Sequence, residues 1–321
     1  MLCSIVCKAT DRFVLFCVPL MTAGVLLCGV ETYAASPYIS RVWEYMPAPG
    51  QFVHSMPEYE EGDDANDMRM KAEEAIADNN RGMISLGGWG GYVVFGFDHM
   101  VLNVPDANDL IVLGNAFEGS SEPGIVLVSH DSNGNGRPDD EWYELAGSEY
   151  TNPATIHNYS VTYSRQKEGK NYPQWIEENS ITFTGSRLPD NYEDLSGEGT
   201  YYVLYAYPFG YADNHPNNSV SAQLDIARAV KADGTPANLQ GIHFVKVYTA
   251  LHQQAGWLGE TSTEIMGAED LHPDATQDLE NLSPALPSRE GVKILCNGQL
   301  YLRYEGQMYD VQGKRIKEIE N

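Results

Sequence analysis

The chain has 321 residues, with 20 basic against 45 acidic side chains and a formal net charge of −25. That balance argues against nucleic acid and anionic lipid surfaces as partners, since both would be repelled. It leaves two uses for the carboxylates, namely solvation of an exported surface and coordination of Ca²⁺, a hard cation that prefers oxygen ligands.

Residues 1–35 read as a secretory signal peptide. Lys8 and Arg12 precede an apolar run from Phe13 to Val30, and Thr32-Tyr33-Ala34-Ala35 supplies a small-residue cut site. The run is too short and interrupted for a permanent membrane helix, and no later stretch of the mature chain resembles one. Cleavage near Ala34 or Ala35 competes with lipid anchoring at Cys28, for which Leu27 is a poor preceding residue. Cys3, Cys7, Cys17 and Cys28 all lie in this leader, so the mature chain keeps only Cys296 and has no intramolecular disulfide. Rigidity must then come from a large core or from bound metal.

A single domain is expected over residues 36–271. Asn66 or Asp67 caps one short N-terminal helix over residues 66–79, whose stripe is Met68, Ala72, Ala75 and Ile76. The helix is placed over one end of the fold. Strands follow at 92–97, 100–104, 110–114 and 124–129, then at 158–164, 180–184, 200–207, 241–249 and 261–266. Short strands separated by Gly, Asn, Asp and Pro predict an all-β fold, a calcium-binding β-sandwich or jelly roll. Residues 272–290 form a polar linker, and residues 291–321 a small C-terminal β-module with turns at Asn297-Gly298, Glu305-Gly306 and Gln312-Gly313.

The calcium expectation rests on Asp131-Ser132-Asn133-Gly134-Asn135-Gly136-Arg137-Pro138-Asp139-Asp140-Glu141. Oxygen side chains at loop positions 1, 3, 5 and 9, with Gly at position 6, match the spacing that wraps a chain around Ca²⁺. Asp131, Asn133, Asn135 and Asp139 are the predicted ligands. Trp142 occupies position 12, so Asp140 or Glu141 must supply the closing carboxylate. The plain alternative is a hairpin turn built on two Asn-Gly pairs. A second calcium site would draw on Asp109, Glu118 or Glu122, although Asn and Asp also favour turns for their own sake.

Gly87-Gly88-Trp89-Gly90-Gly91 lacks the lysine and helix of a phosphate loop and reads as close packing at a strand start. Glu260, Ser262 and Glu264 alternate onto one strand face, expected to be solvated or calcium-linked. A glycan-cleaving enzyme with paired carboxylates is the alternative at that face. Nucleophilic and zinc motifs are absent from the sequence. The aromatic density, 20 Tyr, 9 Phe and 5 Trp, suits stacking of sugar rings or other planar ligands. Candidate ligand-binding residues are Trp89, Trp142, Tyr143, Phe209, Tyr211 and Trp257. Trp89, Trp142, Phe209, Tyr211 and Trp257 are expected to be partly exposed and gathered at one end of the sandwich, with calcium fixing Trp142 and Tyr143.

Several stretches resemble bacterial cell-surface proteins of gut anaerobes: Val42 to Phe52, Leu86 to His99, Glu122 to Val126, Asp139 to Ser148, and Gly256 to Glu264. The resemblance spans roughly residues 40–275 and implies a galactose-binding-like jelly-roll core without an assigned activity. It also implies neighbourhood to outer-membrane corrinoid uptake, and hence a possible outer-membrane partner. Gly306 to Ile316 is similar to a shortened C-terminal sorting module of the Gram-negative envelope. The resulting expectation is an exported, non-catalytic surface protein that binds a glycan or another nutrient. A hydrolase, a corrinoid-uptake accessory and a structural envelope protein are the alternatives.

Overall fold

The computed structural model describes residues 36–274 and strand segments at 292–296, 299–304, 307–309 and 315–316. The leader, Cys28 and most of the linker lie outside the described residues. Among those described, no helix is long and apolar enough to cross a membrane.

The chain opens with strand β1 (Arg41–Met46), helix α1 (Ala65–Ile76), β2 (Ile84–Ser85), β3 (Tyr92–Leu102), β4 (Leu110–Leu113), β5 (Gly124–Ser129) and β6 (Trp142–Leu145). A hairpin of β7 (Ile156–Ser164) and β8 (Ser180–Arg187) follows, interrupted by the single helical turn α2 (Arg165–Glu168). Then come β9 (Tyr192–Asp194), β10 (Tyr202–Leu204), β11 (Gln223–Leu224), β12 (Ala229–Val230), β13 (Gly241–Thr249), β14 (Glu264–Ile265) and β15 (Gly267–Asp270). Near the C-terminus, β16 (Val292–Cys296), β17 (Gln299–Tyr304), β18 (Gln307–Tyr309) and β19 (Arg315–Ile316) form a four-stranded antiparallel sheet of their own.

Among the described residues the fold is all-β, with several antiparallel sheets and two α-helices. The largest sheet has six strands in the order β1-β3-β13-β5-β6-β12, and a second has the order β11-β4-β15. β-branched residues make up half of β5 and four of the nine residues of β13, as suits central strands packed on both faces. Alternation then divides the residues. Val245 and Val247 of β13 and Val126 and Val128 of β5 share one core cluster with Leu110 and Val112 of β4 and Ala268 of β15. Lys246, Tyr248 and Leu127 take the opposite face.

The helix starts one residue before the expected range and ends three earlier, and its cap is Asp64. That side chain accepts from the N–H groups of Asn66 and Asp67, while Asp67 answers Asp64 N–H in a capping box. Rather than closing an end, the helix lies along edge strand β1. Glu73 Oε2 accepts from Val42 N–H at 2.9 Å and Arg69 donates to Val42 O at 2.8 Å. An exposed ladder edge is thereby covered by an Arg69–Glu73 pair. The strands expected at 92–97 and 100–104 are one strand, β3, whose pairing with β13 shifts register between Ile242 and Phe244. Those expected at 200–207 and 261–266 shrink to Tyr202–Leu204 and Glu264–Ile265. In both, the flanking backbone is taken up by side-chain contacts such as Tyr207 N–H to Asn214 Oδ1 and Ser262 N–H to Glu122 Oε1.

Candidate functional site

Residues on the outer face of the six-stranded sheet line a cleft of about 820 Å³. The register places Lys246 beside Leu127, and Leu127 beside Glu144, so the three cross adjacent strands in one row. Two strand spacings separate Lys246 from Glu144, roughly 10 Å between backbones. Trp142 lies two residues from Glu144 on β6 and shares its face, while Tyr143 turns inward and packs against the main core. The β7–β8 hairpin forms one wall through His157 and Phe183, and Lys231 to Gly234 contribute to another.

Charge inside this cleft is held under tension. The Lys246 ammonium lies 3.6 Å from the centre of the Tyr92 ring, a cation–π contact. Burial lowers its pKa, and Glu44 opposes that shift. Tyr92 in turn donates to Glu44 at 3.0 Å. Burial raises the pKa of Glu144, with Ser186 Oγ donating to it at 3.1 Å and opposing that rise. His157 Nδ1 stands 3.0 Å from the same hydroxyl, and its Nε2 is 3.1 Å from Tyr150 O. A desolvated cation, a desolvated acid and rings on one wall can hold a polar ligand through hydrogen bonds and stacking.

The loop from Asp131 to Glu141 bears out its glycine logic, since Gly134 and Gly136 both have φ of 69°. Its oxygens converge on the loop's own donors. Asp131 accepts from Asn135 and Gly136 N–H, Asn133 from Asn135 N–H, and Asn135 from Arg137 N–H. Asp139 accepts from the amides of Asn133 and Asn135, which holds its pKa below the ordinary carboxylate range. Of the two candidates for the closing ligand, Glu141 is taken by Tyr143 Oη at 2.8 Å. Asp140 Oδ2 is buried with no hydrogen-bond partner. The donor set is oxygen throughout, which suits calcium.

No protein-family model matches the chain, and neither does any curated protein sequence.

The six predicted ring residues do not assemble into one site. Trp142 lines the cleft and Phe209 lines a separate groove, under the Arg228 guanidinium at 4.3 Å. Trp257 is 70 % exposed on a short 3-10 turn. Trp89, at 1 % exposed, and Tyr211, at 2 %, are buried in two different clusters, so the expected exposure of both is overturned. A Cβ on Gly147 would sit 2.4 Å from the Tyr211 ring, so bare backbone there lets Tyr211 pack inward. Trp89 is enclosed with Tyr163 and Phe183, and its carbonyl accepts from Tyr163 Oη at 3.0 Å.

The expected second calcium set also separates. Asp109 is fully buried and accepts from Val104 and Ile226 N–H, Glu118 is exposed, and only Glu122 joins an acidic group. That group is Glu122, Asp213 and Glu264, with one carboxylate oxygen of each within 4.8 Å of the others. Ser262 and Glu264 are accordingly buried and not on a solvated face. Glu260 accepts from Gln51 N–H. Asp213 was missed because its neighbours in the chain, Ala212 and Asn214, carry no pattern. Lys246 and Glu144 were missed because each stands alone within an ordinary strand.

Proposed function

We propose that this is an exported cell-surface binding protein of jelly-roll type, stabilised by calcium, that takes a glycan or another polar nutrient into the outer-face cleft without transforming it. The observation that carries this reading is the row Lys246–Leu127–Glu144, which lines a single concavity together with Trp142, Tyr92 and Phe183. Sugars offer hydroxyls to a buried acid and ammonium, and C–H faces to rings. A purely structural envelope protein needs no such cleft. The resemblance to surface proteins, the leader and the acidic surface support the location. The loop Asp131–Glu141 supports calcium, with Asp140 as the closing ligand in place of Glu141.

A second reading keeps the hydrolase alternative, because Glu144 and Asp233 line the same cleft. Glu264, buried in its acidic group, is not available to a substrate. One experiment addresses both readings. The purified protein is screened against glycan and corrinoid panels, with turnover monitored in the same wells. Saturable binding without product, weakened at least tenfold in Lys246→Ala, supports the binding protein. Product formation lost in Glu144→Gln replaces it with the hydrolase, and absence of any binding across both panels removes it.

A further inference from the structure

The acidic group lies where three distant stretches of chain are stitched together. Glu122 precedes β5, Asp213 sits in a turn with φ of 50°, and Glu264 begins the short strand β14. Glu122 N–H donates to Asp213 O at 3.0 Å, and Ser262 N–H reaches Glu122 Oε1 at 3.3 Å. Asp213 Oδ1 accepts from the N–H groups of Asn115 and Ala116, and its Oδ2 from Glu264 N–H at 3.0 Å. Gly114 leaves room for this approach, because a Cβ there would meet Asp213 Oδ1 at 2.3 Å.

Three backbone donors on Asp213 favour its charged form, yet no positive side chain pairs with it. Among the described residues, none of the three carboxylates takes part in an ion pair. Burial pushes Asp213 up to about 8, helped by Glu122, and burial with the charges of Glu122 and Asp213 also raises Glu264. A second, separate observation concerns Glu264 itself. It is 3 % exposed, and its Oε1 has no hydrogen-bond partner. A buried acceptor without a donor, inside a cage of like charge, is a ligand position in want of a cation.

We propose that Glu122, Asp213 and Glu264 bind one hard divalent cation, calcium by preference, at a buried site distinct from the loop Asp131–Glu141. The donors are all oxygens, with no thiolate or imidazole to select a softer metal. Calcium suits a buried site better than magnesium, which gives up its water reluctantly and demands near-ideal octahedral geometry. The cation clamps the turn at Asp213 to the start of β5 and to β14.

The test uses the full chain carrying Asp131→Ala and Asp139→Ala, so that the loop no longer contributes. After EDTA and desalting, calcium chloride is titrated in by calorimetry, with circular dichroism as the check on folding. One equivalent of calcium is expected to bind and to raise the melting midpoint, and Glu264→Gln in the same background is expected to weaken binding at least tenfold. Should Glu264→Gln fail to fold, Glu122→Gln is read the same way. Binding of magnesium or manganese at the same stoichiometry, lost in the same variants, upholds the site and changes its ion. No heat and no midpoint shift with any of the three ions overturns it. So does calcium binding that is unchanged in both carboxylate variants, or binding by zinc alone.

Discussion

The loop Asp131–Glu141 and the group Glu122–Asp213–Glu264 spend the same residue type in opposite ways. In the loop, the side chains of Asp131, Asn133, Asn135 and Asp139 each accept from a donor within a few positions, and Asp139 is stabilised in its charged form at the surface. In the buried group the acids come from as far apart as Glu122 and Glu264, 142 positions, and their pKa values rise. Local spacing creates a loop that is tied together by its own short-range hydrogen bonds. Tertiary packing creates a charge cluster that the fold must compensate.

The largest effect should separate these regions. Asp213→Ala leaves three N–H groups, two of them buried, without an acceptor and should cost about 3–5 kcal/mol in denaturant unfolding. Asp139→Ala, in chelator, should leave the same curve in place. Equal losses would mean that the loop carries as much of the fold as the interior does.

The tryptophans extend the contrast to apolar groups. Trp89→Ala should destabilise by about 3–5 kcal/mol, as large-to-small changes in a packed core do. Trp257→Ala, on the surface, should stay within about 0.5 kcal/mol of the parent. A mild Trp89→Ala phenotype would restore it as a candidate for ligand contact.

A smaller effect concerns His99, which bridges Asp98 at 2.7 Å and Asp270 at 2.9 Å. Burial disfavours the charged ring, but the two carboxylates outweigh it and the pKa is raised. The folded state therefore holds the proton more tightly than the unfolded one. The resulting stabilisation is full below the ordinary histidine value of about 6.5 and fades as pH rises through the folded value. The gap between the parent and His99→Gln should shrink steadily in unfolding measurements from pH 6 to pH 8. A gap that widens over that range would contradict the pairing.

Much of the fold was legible because strand signals are local. The runs 110–114, 124–129 and 241–249 became β4, β5 and β13 with bounds nearly unchanged. The loop was legible for the same reason, since Asp131, Asn133, Asn135 and Asp139 are spaced by the turn that they make. What spacing does not carry is the partner across the sheet. Lys246 meets Glu144 only through Leu127, and nothing around Lys246 in the chain foretells that row. The strand expected at 200–207 is cut short in a related way. It ends at Leu204, and Tyr201 and Tyr205 are exposed while Tyr207 is buried and donates to Pro189 O. Gly147 leaves room for Tyr211 in the interior and Trp89 packs with Tyr163 and Phe183, contacts set by distant partners and not by their own surroundings in sequence.

The most direct measurement of the cleft's role compares two tryptophans against one ligand. Binding isotherms for the glycan or corrinoid taken up by the parent should be recorded for Trp142→Ala and Trp257→Ala. The expected result is at least a tenfold loss of affinity in Trp142→Ala, with Trp257→Ala unchanged. Full affinity in Trp142→Ala together with loss in Trp257→Ala would place the ligand outside the cleft and contradict the proposed site.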